Sequence, residues 1–186
     1  MEKKSAVLAC ILVLNICTSI SLVKCEYYSQ SLPYNQVKEH KTSLHFYIHD
    51  IVSGSKPTAV PIARPKSGQG GPGFGQLFAI DDPLTEGPEI TSTLIGNARG
   101  MYVSASQDAK PTLVMYMDLG FTSGKFNGSS ISVFSRNPIT ESPREMAIVG
   151  GRGLFRFAKG YITVHTHSLS GNGDAVLEYN AEIVHP

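Results

Sequence analysis

No cysteine follows position 25 in this 186-residue chain; the three present are Cys10, Cys17 and Cys25. Beyond that point there is no disulfide, no thiolate metal site and no cysteine nucleophile. Tryptophan is absent and aromatic residues make up 9% of the chain, so stacking platforms for single-stranded nucleic acid are not indicated. Net charge is only +1 and no basic run occurs, which argues against nucleic acid as a partner. No long apolar run follows residue 23, and no segment sustains capped helical periodicity. The glycine-rich stretch Gly68–Gly73 lacks the Gly-Lys-Ser/Thr ending of a phosphate loop, and Val149-Gly-Gly-Arg-Gly153 fails for the same reason. No Gly-x-Ser-x-Gly nucleophile elbow occurs. His165 and His167 share a strand face, but no third ligand follows at supporting spacing, so no metal is expected.

What is present begins with an export signal. Lys3 and Lys4 precede a mostly apolar stretch from Ala6 to Val23, and Val23-Lys24-Cys25 offers a cleavage pattern with Glu26 as the mature start. Asn15, Thr18, Ser19 and Ser21 break the run and disfavour a membrane anchor. The expected organisation is a signal peptide over 1–25, a flexible polar arm over 26–41 and one domain over 42–186, secreted and free of the membrane once the signal is removed. Roughly 160 residues are enough to bury a core. Asn127-Gly128-Ser129 is a glycosylation sequon on Asn127.

Short strand-like runs alternate with turn clusters, the pattern of an all-β domain. The predicted strands are 43–52, 58–63, 74–80, 98–107, 112–119, 129–135, 154–167 and 175–184. Turns are expected at Ser53-Gly54-Ser55, Asp82-Pro83, Ser123-Gly124 and Ser170–Asp174. Such a set fits a closed barrel or a sandwich. Some strands are apolar on both faces: Val114 and Tyr116 oppose Leu113, Met115, Met117 and Leu119. Burial of some outer surface in a homo-oligomer would account for this.

One residue breaks the apolar pattern. Along Ser43-Leu-His-Phe-Tyr-Ile-His-Asp-Ile-Val52, Asp50 shares its face with Leu44, Phe46, Ile48 and Val52. A carboxylate there must either find a partner or stay protonated. It is therefore a proton donor in a dry pocket or a structural acid bonded to an arginine or backbone amide. Arg99 and Arg156 are possible partners, and the Asp81-Asp82 pair closes a strand. His45 and His49 take the opposite, outer face.

Several long motifs in order resemble the dirigent protein family. They are Leu44–Val52, Phe74-Gly-Gln-Leu-Phe-Ala-Ile-Asp-Asp-Pro-Leu-Thr85, Ala98-Arg-Gly-Met-Tyr102, Phe126-Asn-Gly-Ser-Ser-Ile-Ser-Val133 and Pro143–Tyr161. The resemblance implies an eight-stranded antiparallel β-barrel, a homotrimer, secretion to the plant apoplast and no cofactor. Two activities compete within the family: steering the coupling of monolignol radicals to lignans, and closing the furan ring of pterocarpans by dehydrating a 2′-hydroxyisoflavan-4-ol. Lignan-forming members carry a second pocket aspartate where this chain has Asn137 in Ser135-Arg-Asn-Pro138, and a cysteine pair that this domain lacks. Asp81–Thr85, Gly87-Pro-Glu89 and Arg144–Gly151 are similar to the legume pterocarpan synthases, which makes an isoflavonoid the expected ligand. The resemblance then implies Asp50 as principal acid, without a second pocket acid, and Arg144 as stabiliser of phenolate charge. Tyr102, Asp81, Phe46, Ile48 and Arg99 are the expected substrate-binding residues.

Overall fold

The computed structural model describes residues 31, 33, 38–66 and 73–186. The signal peptide, the cysteines, most of the arm and most of the Gly68–Gly73 stretch lie outside them. Val37–Pro186 forms one unit.

Alternation of buried and exposed side chains runs along the strands as a half-buried sheet requires. In β7 (Arg144–Arg152), for example, Arg144, Met146 and Ile148 are buried, while Glu145, Ala147 and Val149 are exposed. The other strands are β1 (His40–Asp50), β2 (Ala59–Ala63), β3 (Leu77–Thr85), β4 (Leu94–Ser104), β5 (Thr112–Phe121), β6 (Ser130–Pro138), β8 (Lys159–Leu169) and β9 (Ala175–His185). All pairings among the described residues are antiparallel, in the order β1-β9-β8-β7-β6-β5-β4-β3-β2, and β1 also pairs with β3. That last pairing closes the sheet into an eight-stranded barrel.

The seam of the barrel is shared. β3 pairs with β1 at Leu84 and Thr85, then with β2 from Ile80 to Leu77. Between them the chain of β1 turns away, and Thr58 bridges the gap. Its Oγ1 accepts from the Ile51 amide at 3.0 Å and donates to the His49 carbonyl at 3.1 Å, while its own carbonyl accepts from Asp81 N–H at 2.9 Å. Pro83 lies in this gap, where a missing N–H costs no ladder bond to β1 or β2.

Three expectations are corrected here. Asp82-Pro83 is not a turn; β3 continues through both residues. The strand β7 was not predicted, because its buried Arg144 and terminal Gly150-Gly151 mask a period-two pattern, and the segment 154–158 assigned to β8 precedes it, partly as the short helix Gly153–Phe155. β1 begins at His40, inside the segment expected to be arm.

The two ends of the barrel differ. The C-terminal end of β1 meets the N-terminal ends of β3, β5, β7 and β9 at one mouth. The other end is filled by aromatic rings: Phe126 stacks on Phe155 with centroids 4.8 Å apart, and Phe121 meets Phe46, Phe126 and Phe155 at 6.0–6.3 Å. Such rings bury large apolar area in specific geometry and seal that end.

Candidate active site

At the open mouth a cavity of about 240 Å³ enters the barrel. Leu113, Met115, Ile139, Leu169 and Leu177 make its walls apolar, and Asp50, Tyr102, Asn137, Arg144 and Thr166 bring the polar groups. The five polar groups come from five strands, β1, β4, β6, β7 and β8, near their ends at this mouth, and β5 and β9 add Leu113, Met115 and Leu177 to the wall.

Asp50 is held in this cavity with its Oδ1 buried and without a hydrogen-bond partner. Burial raises its pKa to about 6, against the opposing effect of the Tyr102 hydroxyl, and the charge of Asp174 adds to the rise. A group with that value carries a proton over a useful fraction of the time near neutral pH. Of the two roles open to Asp50, a structural ion pair finds no support: no arginine is paired with it.

Across the cavity Arg144 is 4% exposed. Its Nε donates to Asn137 Oδ1 at 2.6 Å, and its Nη1 donates to Thr166 Oγ1 at 3.0 Å and to the Glu141 carbonyl at 3.3 Å. Every one of these acceptors is neutral. The guanidinium is thus oriented but its charge is not neutralised, and burial lowers its pKa for that reason. An anionic or phenolate-like oxygen is the complement such a group lacks. Asn137 Nδ2 in turn donates to the Met115 sulfur at 3.2 Å, which fixes the orientation of the amide.

Behind Asp50 lies a second carboxyl, Asp82, only 2% exposed and also with an unpartnered Oδ1. Burial first, and the charge of Asp50 next, raise its pKa to about 8. Tyr179 reaches toward the same group from β9, fully buried and with its hydroxyl unpartnered. Burial raises the pKa of both Tyr102 and Tyr179, so each is a neutral phenol at any working pH.

The structure separates the expected site residues into two sets. Asp50, Arg144 and Tyr102 line one cavity. Asp81 and Arg99 do not: their side chains are 55% and 69% exposed, and they pair with each other at 3.1 Å on the outer surface. The reason is parity, since β3 runs on past Ile80 and turns Asp82 inward, leaving Asp81 outside. The expectation of a single pocket-side acid is corrected by the same fact. Phe46 and Ile48 are interior, each 1% exposed, but they belong to the core beneath the cavity, with Phe46 packed on Phe121 and Tyr179. Arg156 is exposed and pairs with no buried acid. His49 lies on the outer face as expected, yet it is 3% exposed, and its Nε2 lies 2.8 Å from Thr85 Oγ1. Asn127 is exposed just after the short helix Gly124–Phe126, at the sealed end. Asp82, Tyr179 and Thr166 were not found from sequence; alternation counted from a β3 extended through Pro83 was the available signal for the first.

A closed antiparallel barrel with one sealed end and an apolar pocket bearing acid, phenol and guanidinium groups defines a class of small-molecule barrel proteins. Residues 41–184 match the dirigent-like protein family, and the chain belongs to it. Dirigent protein 15 of Arabidopsis thaliana is 50% identical over 184 residues, covering 94% of this chain and 97% of the relative. Pterocarpan synthase 1 of Glycine max is 48% identical over 178 residues, covering 92% and 95%. A solved structure of a pterocarpan synthase dirigent protein matches with a TM-score of 0.75 and 46% identity, over 82% of this chain and 89% of that one. Relatives of both names lie at similar identity, so the activity is argued from the pocket.

Proposed function

We propose that the protein is a pterocarpan synthase, a lyase that dehydrates a 2′-hydroxyisoflavan-4-ol and closes its furan ring. The observation that carries this reading is Asp50, its buried Oδ1 without a partner and its pKa raised to about 6, sharing one cavity with an Arg144 whose hydrogen-bond acceptors are all neutral. Loss of water from carbon 4 needs a proton on a poor leaving group and stabilisation of negative charge on the phenol across the ring. The two groups supply these needs from opposite sides of one apolar cavity.

In the proposed sequence Asp50 gives its proton to the 4-hydroxyl, which leaves as water. The 7-hydroxyl, beside Arg144, loses its proton to water at the open mouth, and the electrons it releases complete a neutral quinone methide. The 2′-hydroxyl then attacks carbon 4, returning its proton to Asp50, and the 7-oxygen is reprotonated as aromaticity is restored. The net change is loss of one water, with no redox partner and no cofactor. Acid catalysis of this kind contributes roughly 10²–10⁴-fold, and holding the aryl ring for attack can contribute as much. Tyr102, a neutral phenol beside Asp50, is placed to orient the leaving group.

Radical coupling of two monolignols is the alternative for this family. Asn137 weighs against it, because the position that carries an acid in lignan-forming members is here an amide spent on Arg144. Export to the apoplast, glycosylation at Asn127 and self-assembly as a homotrimer accompany the lyase reading as parts of the same proposal.

Incubating the protein with the stereoisomers of 7,2′-dihydroxyisoflavan-4-ol, with no cofactor added, should yield pterocarpan from at least one of them. Asp50→Asn should lower turnover by roughly 10²-fold or more while leaving the far-ultraviolet spectrum of the barrel unchanged. Unchanged alcohol with every isomer, or near-normal turnover by Asp50→Asn, would refute the reading.

A further inference from the structure

Asp50 and Asp82 flank the barrel seam just beyond the last β1–β3 pair, close enough that the charge of Asp50 acts on Asp82. β1 and β3 pair antiparallel with Tyr47 facing Thr85 and Ile48 facing Leu84. Continued by two residues, the same register sets Asp50 against Asp82, and both positions point inward, as do Ile48 and Leu84. Directly opposed side chains on one face of an antiparallel pair have Cβ atoms about 4.5–5.5 Å apart. The ladder itself stops short of them, because the chain leaves β1 at Ile51 and Thr58 takes over the edge of β3. Each carboxyl has a buried Oδ1 with no partner in the protein.

We propose that Asp82 and Asp50 form a cross-strand carboxyl pair that holds one proton between them, with Asp82 acting as a positioning residue that keeps Asp50 supplied as proton donor. Two carboxylates opposed in an apolar setting cannot both ionise at low cost, whereas one proton between them serves both orphaned oxygens. No cation neutralises the pair. Tyr102 on β4 and Tyr179 on β9 face it as neutral phenols, and Asp174 on the β8–β9 hairpin adds negative charge. Arg144 on β7, the one cation among the lining residues, is held across the cavity by Asn137 and Thr166. On the same strands Asp81 and His49 point outward, to Arg99 and Thr85.

The proton balance follows directly. Asp50 transfers its proton to the leaving hydroxyl and becomes a carboxylate in a dry cavity. That leaves two carboxylates opposed, and their repulsion makes Asp50 a ready acceptor for the proton the 2′-hydroxyl releases on ring closure, which restores the pair. Only this catalytic use of the pair rests on the lyase reading; the shared proton does not.

The test reads the pair with and without substrate, on protein expressed from the full chain with aspartate labelled at the carboxyl carbon. Nuclear magnetic resonance of the wild type should show two linked steps, the two carboxyls leaving the singly protonated state only well above neutrality. Asp50→Asn should bring the Asp82 step to lower pH, because the neighbouring charge has gone. Independent single steps, or an Asp82 step unmoved by Asp50→Asn, would overturn the pair, and the wild-type titration decides this even where a variant fails to fold. With substrate, the ratio of Asp82→Asn to wild-type kcat/KM should fall more than tenfold between pH 5 and pH 8. A ratio constant with pH would mark Asp82 as merely structural and overturn the positioning role. Linked titration in a protein that closes no furan ring would uphold the pair and refute the lyase reading, so the two failures are distinguishable.

Discussion

Two carboxyls buried on facing strands make stability depend on pH in the direction opposite to an ordinary salt-bridged acid. Both pKa values lie above the usual carboxylate value, so the folded state binds more protons than the unfolded state between about pH 4 and pH 8. Their contribution to stability is fully present below about pH 4 and is lost as pH rises through 6 and then 8. Asp82→Asn should therefore raise the Tm relative to wild type at pH 8, by the equivalent of a few kcal/mol, and the gain should shrink toward pH 4. Thermal melts of both proteins across that range check the sign; a gain largest at low pH would contradict it. A second residue-scale prediction concerns Arg144. Asn137→Asp would place a carboxylate 2.6 Å from its Nε, neutralising the charge that the proposed mechanism directs at the phenol. Turnover of the isoflavanol should fall by about tenfold or more in steady-state assays, although the added ion pair leaves the fold intact. Asp50 was legible in the sequence because its parity among Leu44, Phe46 and Ile48 needs no knowledge of other strands. Asp82 was not, because Pro83 reads locally as a turn and only the shared seam shows why a strand tolerates it.

At the level of elements, the mouth depends on one clasp between β1 and the β8–β9 hairpin. Asp174 Oδ1 accepts from the Val52 and Ser53 amides at 2.9 Å each, and its Oδ2 accepts from the Ser53 hydroxyl at 2.6 Å. These bonds hold the Asp174 pKa below its ordinary value. The clasp fixes the chain immediately after Asp50, and Gly173 beside it leaves no space. Its φ is +95°, and an added Cβ would stand 3.2 Å from Val52 Cγ2. Asp174→Ala should therefore loosen residues 51–55, seen as faster amide exchange at Val52 and Ser53, with a larger loss in kcat than a distant surface change causes. Unaltered exchange there would show that the clasp carries no order. β4 is explained by a different fit. It sets Gly96, Ala98 and Gly100 against Leu84, Asp82 and Ile80, small against large, and a Cβ at Gly100 would stand 2.0 Å from the Tyr116 carbonyl oxygen. Such close approach is invisible to period-two counting, which is why β4 was predicted from Ala98 when it starts at Leu94. The missed β7 has a related cause: its inward series opens on Arg144, a charged residue occupying a buried position.

Over the whole molecule, the outer apolar residues need a reason that the barrel interior does not provide. Met101 on β4 faces Tyr116 on β5, which faces Phe134 on β6, so the three form one continuous row across adjacent strands. They are 47%, 41% and 57% exposed, while the inner faces of the same strands already fill the core with Met115, Met117, Leu119, Ile131 and Val133. A contiguous row of exposed apolar side chains is a candidate contact site. Apart from the short edge strand β2, the closed barrel has no free sheet edge to extend, which favours association through such a face. On the proposal of a homotrimer this row is the expected contact between copies, and light scattering should give three times the monomer mass. Tyr116→Lys combined with Phe134→Lys should reduce that mass to one chain without melting the barrel, because neither side chain contributes to the core. Asp50, Tyr102, Asn137 and Arg144, the groups the proposed mechanism uses, stand on β1, β4, β6 and β7 away from the outer row of Met101, Tyr116 and Phe134. The dissociated variant should therefore retain ring closure per chain within about threefold at low temperature, and lose thermal stability instead. If dissociation abolished activity while the barrel remained folded, a neighbouring copy would have to shape the mouth, and the assignment of the site to one chain would fail.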